Sequence, residues 1–300
     1  MLKNSPQDFA PSDGLLHGIY RGVVENNKDP EEIGRCQVRV FGVHSPNKSQ
    51  TEADGIPTDH LPWAEPAGPL FGGGVSGIGN WSIPVQGSMV YVFFERGHLL
   101  NPRYFATAPG KPTEKTHGFT SEQGFSDPDG VYPDKLGESD VNRLARGDKS
   151  GTAISEREAN VRGPEPTPSF GAKYPHNNVL ETPSGITIEL DDTQGAERIH
   201  IYHPSKSFIE INESGRMIVR NTGDKFTLTD GDLTVDIQGD STKEIQGDST
   251  KEIGGSKTVN ISGECTVQVG GGCTIQAGGD VTIEAGGNAI VNAAQILLNS

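Results

Sequence analysis

Six groups of residues in this 300-residue chain have types and spacings that could do chemistry. Gly72 to Gly77 spells G-x-G-x-x-G, the spacing of a dinucleotide-binding turn. That turn needs a helix after it, and Asn80-Trp-Ser-Ile-Pro follows instead, so a barrel loop is the reading. His200 and His203 could ligate a metal, but in an alternating strand they fall on opposite faces. Asp191-Asp192 could bind a cation and reads better as a tight turn. Glu114, Glu122, Asp127, Asp129 and Asp134 offer carboxylates for glycoside hydrolysis, which needs two of them across a sugar cleft. No surrounding pattern supplies a domain to orient them, and no nucleophile elbow accompanies any Ser-His-Asp set. Cys265 and Cys273 could form a thiolate metal site and read as small apolar filler. Lys243 and Lys251 are the exception, because an inward ammonium demands compensation. The expectation is therefore no catalytic residue, no metal and no cofactor. Lys243 and Lys251 remain as a candidate site for an anion or water.

Those lysines belong to a repeat. Gly215, Gly223, Gly231, Gly239, Gly247, Gly255, Gly263, Gly271, Gly279 and Gly287 recur every eight residues without a gap. A period this regular takes precedence over other signals. Eight is even, so in a strand each slot of the octet keeps its face in every copy. Even slots counted from Gly are mostly apolar: Ile237, Ile245, Ile253, Ile261 and Val269 hold the sixth, and Val235, Val259, Val267, Ile275 and Ile283 the fourth. Odd slots carry Thr, Asp, Glu, Gln and Asn, with Thr234 to Thr282 repeating in the third. Even slots face in, odd slots face out, and Gly takes the corner, where a positive φ is expected. Phe226 and Leu228 sit in odd slots and suggest a register change in that octet. The period excludes a helix. Three octets per turn of one chain, or one octet from each of three chains, would both make a triangular tube. The trimer is preferred, because a single chain would complete few turns and lack a cap. Ten octets at about 4.8 Å give a rod roughly 50 Å long.

Upstream, Gly18 to Glu25, Arg35 to Val43, Ser88 to Glu95 and Pro102 to Thr107 read as short strands without an amphipathic helix, which points to a barrel of the OB or a related type. Residues 111–175 are polar and rich in Gly, Pro and Ser, an extended linker. The resulting plan is all-β: a barrel over 1–110, the linker, and a trimeric β-helix over 176–300 with regular octets in 215–294. Trp63 and Trp81 near barrel loops are either packing residues or anchors for a neighbouring protein. Ile296, Leu297 and Leu298 would leave an apolar end face, and such faces mark partner sites, so a separate tip-capping protein is expected.

Composition calls for a chain that is in part disordered or in part thin and extended. Hydrophobic residues make 32%, with 40 Gly and 20 Pro. A formal charge of -15 argues against nucleic acid as partner. No apolar run is long enough for a membrane helix, the start has no signal-peptide pattern, and three cysteines make no disulfide framework. Synthesis in a reducing cytoplasm is expected.

The stretches "YRGVVENNKDPEEIGRCQVRVFGVHSP", "GIPTDHLPWAEPAGPL", "VSGIGNWSIPVQGSMVYVFFERG" and "GFSDPDGVYPDKLG" resemble the central spike (hub) proteins of T-even-type contractile phage baseplates. "KYPHNNVLETPSGITIELDDTQGAERIHIYHPSKSFIEI" resembles the segment that opens the β-helix in those spikes and in type VI secretion needles. The likeness covers nearly the whole chain in colinear order. It implies an N-terminal OB-fold, a homotrimer, an intertwined β-helix, docking of the barrel on a hub protein at the tail-tube end, a place in the virion baseplate, and transient contact with the bacterial outer membrane. The T-even spike carries a lysozyme domain between barrel and β-helix; here that interval is too short and too polar, which implies no enzyme activity. A secretion-system needle and a tail-borne cell-wall hydrolase are the alternatives.

Overall fold

A computed structural model describes residues 14–68, 73–110 and 138–297. The acidic candidates Glu114 to Asp134 and the motif at 124–137 lie outside the described residues, as do Gly72 and Leu298. The chain divides into two units, residues 1–228 and 229–300.

The first unit opens with a closed barrel. Its strands are β1 (Tyr20–Asn26), β2 (Cys36–Val40), β3 (Trp63–Pro66), β6 (Met89–Phe94) and β7 (Pro102–Thr107), in spatial order β1-β2-β3-β7-β6. A small hairpin, β4 (Gly73–Val75) and β5 (Ile78–Gly79), occupies the glycine-rich motif. Strands β1, β2, β6 and β7 fall where apolar alternation placed them. Strand β3 was not anticipated. It spans four residues and ends in proline, and it closes the barrel by pairing parallel to β7. The core is small: Val24, Cys36, Val38, Val40, Ala64, Val90, Val92, Phe94 and Tyr104. Tyr104 donates its hydroxyl to the Gly34 carbonyl at 2.5 Å. Burial pushes the neighbouring Cys36 thiol up to about 11.

A buried ion pair stiffens the barrel wall. Arg39 donates to both oxygens of Glu25, at 2.7 and 3.1 Å, and to the carbonyls of Ser45 and Ile56. Thr58 donates to the same carboxylate at 2.7 Å. One guanidinium thus fixes the loop between β2 and β3 at two points, and each buried charge has its partners.

Residues 138–175 are more structured than an extended linker. Asn142 begins a short turn over Leu144–Arg146, and a helix, α1 (Ala153–Glu158), follows. The Thr152 N–H donates to Ser155 Oγ at 3.0 Å, which fixes the first turn of α1. Ile154 and Arg157 of α1 are buried.

Five strands follow as an antiparallel meander: β8 (Asn177–Glu181), β9 (Thr187–Asp191), β10 (Arg198–Tyr202), β11 (Phe208–Ile211) and β12 (Met217–Arg220), each hydrogen-bonded to the next. The turn between β11 and β12 holds Gly215 at φ 77°.

In the second unit every described residue is exposed and none pairs as a strand within the chain. Bends fall at 230–231, 238–239, 246–247 and on to 286–287, each at an octet glycine and the residue before it. The expected left-handed corner is not found. Among the octet glycines only Gly215 has positive φ, and a Cβ placed on any from Gly223 to Gly287 meets nothing within 4 Å. One copy of the chain therefore gives these positions no reason to be glycine.

Candidate assembly face

The meander is built inside out. In β9, β10 and β11 the residues that alternate inward are Thr187, Glu189, Asp191, Arg198, His200, Tyr202, Phe208 and Glu210, all buried. Glu189, His200 and Glu210 have no exposed surface at all. The opposite face carries two cross-strand rows of apolar side chains. One runs Leu180, Ile188, Ile201, Ile209, Val219; the other Leu190, Ile199, Ile211, Met217. Most of these remain more than a third exposed. A soluble sheet ordinarily buries its apolar face. This one covers its polar face with its own chain and leaves the apolar one open.

The covered face is an ion network. Glu189 accepts from Arg198 Nη2 at 2.6 Å, from Asn177 Nδ2 at 2.9 Å, and lies 3.1 Å from His200 Nδ1. Glu210 pairs with Arg157 of α1 and more loosely with Arg198 at 3.7 Å. Glu165 receives Arg220 at 2.9 Å and approaches Arg157 at 3.6 Å. The Arg157 guanidinium lies over the Phe208 ring at 4.1 Å from its centroid, and Arg198 over Phe170 at 5.1 Å. Burial alone would raise the Glu189 pKa; the His200, Arg198 and Asn177 contacts outweigh it and hold the carboxyl below its ordinary value. Three guanidiniums and three carboxylates so anchor residues 157–170 against the sheet.

The sequence singled out few of these residues. His200 is buried in the network and His203 is exposed in the following turn, where its Nδ1 meets Ser205. Asp191 closes β9 and accepts from the Thr193 N–H at 2.9 Å, a turn contact. Among the described residues no group of three His, Cys, Asp or Glu is placed to hold a metal. Arg198, Glu189 and Glu210 were missed because charges alternating with isoleucine in "TIELD", "RIHIY" and "FIEI" do not say which face is covered, and Arg157 because it falls in a stretch expected to be an extended linker. The signal available was that four successive segments all put isoleucine, valine or leucine opposite a charge.

Trp63 is half-buried in β3 beneath the Arg35 guanidinium, 5.5 Å from the ring centroid. Trp81 is 57% exposed. Both border the turn 29–35, which Asp29 organises by accepting from the N–H groups of Glu31, Ile33 and Arg35 and from the Arg35 side chain. Those bonds, the Arg35 side chain foremost, hold the Asp29 carboxyl well below the usual range. Lys243, Lys251, Ile296 and Leu297 are exposed in the single chain.

The family model described as "Gp5 N-terminal OB domain" matches residues 42–194. The chain belongs to the Gp5 family. A second family model, "Bacteriophage T4 gp5 C-terminal trimerisation domain", matches residues 186–293, which takes in β9 to β12 and almost all the octets. Two curated Gp5 proteins are similar. "Protein Gp5" of Vibrio phage KVP40 is 35% identical over 70% of this chain and 58% of its own length. "Pre-baseplate central spike protein Gp5" of Enterobacteria phage T4 is 31% identical over 72% of this chain and 40% of its own length. The chain thus spans about half the length of these Gp5 relatives. Its matched trimerisation segment begins within the sheet whose apolar face is open.

Proposed function

We propose that this chain is the protomer of a homotrimeric central spike in a contractile phage baseplate, and that its work is mechanical. The observation that carries this reading is the open apolar face of β8 to β12. A chain that seals its own charges and leaves Ile188, Ile199, Ile201 and Ile209 outside is unfinished alone. Two further copies would bury those rows against one another, at about 25 cal/mol for each Å² of apolar surface removed from water. The octets support the same reading, since they carry apolar alternation without a partner strand in their own chain.

In the trimer each octet forms one side of a closed tube. Every backbone group then pairs with another copy, and bending must break many bonds together. Such a rod transmits the thrust of a contracting sheath and pierces the outer membrane. Trp81 and Trp63 are the proposed anchors on a hub protein. Ile296 and Leu297, with Leu298, form the proposed seat of a tip-capping protein. Lys243 and Lys251 are compensated by an anion or ordered water on the axis. The protein has no hydrolase activity in this reading, and its place is the virion.

Light scattering on the purified chain tests the central claim. A trimer is expected, and Ile199→Asp with Ile201→Asp should yield a monomer whose barrel stays folded. A monodisperse wild-type monomer overturns the reading. Clearing of a peptidoglycan suspension would overturn its non-enzymatic part.

A further inference from the structure

Cys265 and Cys273 occupy the same slot of successive octets, two residues after Gly263 and Gly271. Both are free and exposed in the single chain, and a bend at 270–271 lies between them. What they meet in an assembly follows from symmetry, given the trimeric reading above. Along one chain, each octet advances the path by a third of a turn and by one strand spacing. The threefold axis carries a chain onto its neighbour by a third of a turn with no advance. Undoing the turn with the axis leaves a pure shift of one strand spacing. Beside each octet of one copy therefore lies the next octet of a neighbouring copy, parallel and in register, slot against slot.

Applied to the octet that starts at Gly263, this puts Cys265 of one copy beside Cys273 of its neighbour. Their backbones are one strand spacing apart, about 4.8 Å. That lies inside the Cα separation of about 4.4–6.8 Å that a disulfide accepts; the same shift leaves the Cβ atoms about 4.8 Å apart, so closing the bond draws them together by a few tenths of an ångström, to about 4.5 Å or less. Both side chains hold an even slot and point to the same side of the wall. Within one chain, by contrast, the two cysteines stand on different sides of the tube with a corner between them.

We propose that Cys265 and Cys273 form three inter-copy thiol pairs, a built-in site at which oxidation joins all three chains in a covalent ring. Each pair gives up two protons and two electrons as its S–S bond forms. A diazene oxidant such as diamide takes them, and its N=N bond is reduced to the hydrazine. The ring closes because each copy contributes Cys265 to one neighbour and Cys273 to the other. Cys36 takes no part, because no second cysteine accompanies it in the barrel core.

The test uses the whole chain. Its mass in solution is first measured by light scattering under reducing conditions. The protein is then treated with diamide, blocked with N-ethylmaleimide, boiled in detergent and run without reductant. The expected result is a solution trimer and a band at three times the chain mass that returns to one chain with dithiothreitol. Cys265→Ser and Cys273→Ser should each remain trimers in solution, because Ser241 and Ser249 already fill this slot. Each should lose the triple band, since three equivalent thiols cannot link three chains by disulfides. A solution trimer that gives no triple band, or that loses its thiols within single chains, overturns the pairing and leaves the spike reading intact. A triple band that survives Cys265→Ser also overturns it. A solution monomer overturns both.

Discussion

His44 shows what one buried side chain contributes. Its Nδ1 accepts from the Val40 N–H at 3.0 Å, and its Nε2 has no hydrogen-bond partner. Burial, with the nearby Arg39 charge, brings its pKa down to about 4. The unfolded chain protonates this ring near 6.5, so between those values the unfolded state binds the extra proton. The His44 contribution to barrel stability should fall as pH drops from about 6.5 to 4, by about 3 kcal/mol in all, and below that the depressed Glu25 and Asp29 carboxyls carry the further loss. Both tryptophans lie in the barrel region, so their fluorescence in urea titrations reports this directly. His44→Gln should flatten that limb; an unchanged slope would mean another group carries it. Arg157 gives a second prediction. Arg157→Ala strands Glu210 without its closest cation in a site closed to water, at a cost of about 3–5 kcal/mol. Arg157→Lys should recover only part, since one ammonium cannot serve Glu210 and Glu165 while lying flat on Phe208. Hydrogen exchange in α1 and β11 is the measurement. Neither residue was legible beforehand: His44 follows β2 in a bend and Arg157 lies in α1, and each is buried only by the fold around it.

At the scale of elements, the count of residues resolves what composition left open. Met217 and Val219 put odd-numbered residues on the apolar face of β12. The inward slots of the octets, Leu233, Val235, Ile237 and onward, are odd-numbered too. The octet at Gly223 shares that parity. Its odd-numbered residues are Lys225, Thr227 and Thr229, so unbroken parity sets Phe226 and Leu228 on the other side, the arrangement that suggested a register change. Strands β1, β2, β6 and β7 and the octet period were legible because alternation and glycine spacing are local. Strand β3 was not, because it exists only through its parallel partner β7. The inversion of the meander was not either, since alternation marks two faces without saying which is inside. Glu189 gives the element a pH signature. Its depressed pKa stabilises the sheet above about 4.5, and that contribution is lost as pH falls below the ordinary carboxylate value. Glu189→Gln should weaken the sheet at neutral pH and blunt its acid transition, read as the loss of protection in β9 and β10 by hydrogen exchange.

For the whole molecule, the repeat makes a prediction that no compact core would. Every octet presents the same eight slots, and in the proposed trimer a neighbour's next octet lies beside it. Removing one complete octet, residues 247–254, should shorten the rod by one strand spacing, about 4.8 Å, and leave a trimer. It also removes Lys251, so the variant should be at least as stable as the parent if that ammonium is a burden on the axis. Removing four residues, 247–250, keeps the two-residue alternation but moves each later glycine half an octet away from its corner. Removing seven exchanges inward and outward faces for the rest of the chain. The expected order of thermal stability is full chain and octet deletion together, then the four-residue deletion, then the seven. Light scattering and calorimetry give that order. Equal tolerance of all three deletions would mean that the glycines mark flexible spacers instead of corners. The glycines themselves sharpen the test. In one chain nothing lies near them and their φ is not left-handed, so Gly247→Ala should leave a monomeric chain untouched. If neighbouring copies approach those corners closely, the same substitution should weaken the trimer, and Gly255→Ala should do so equally.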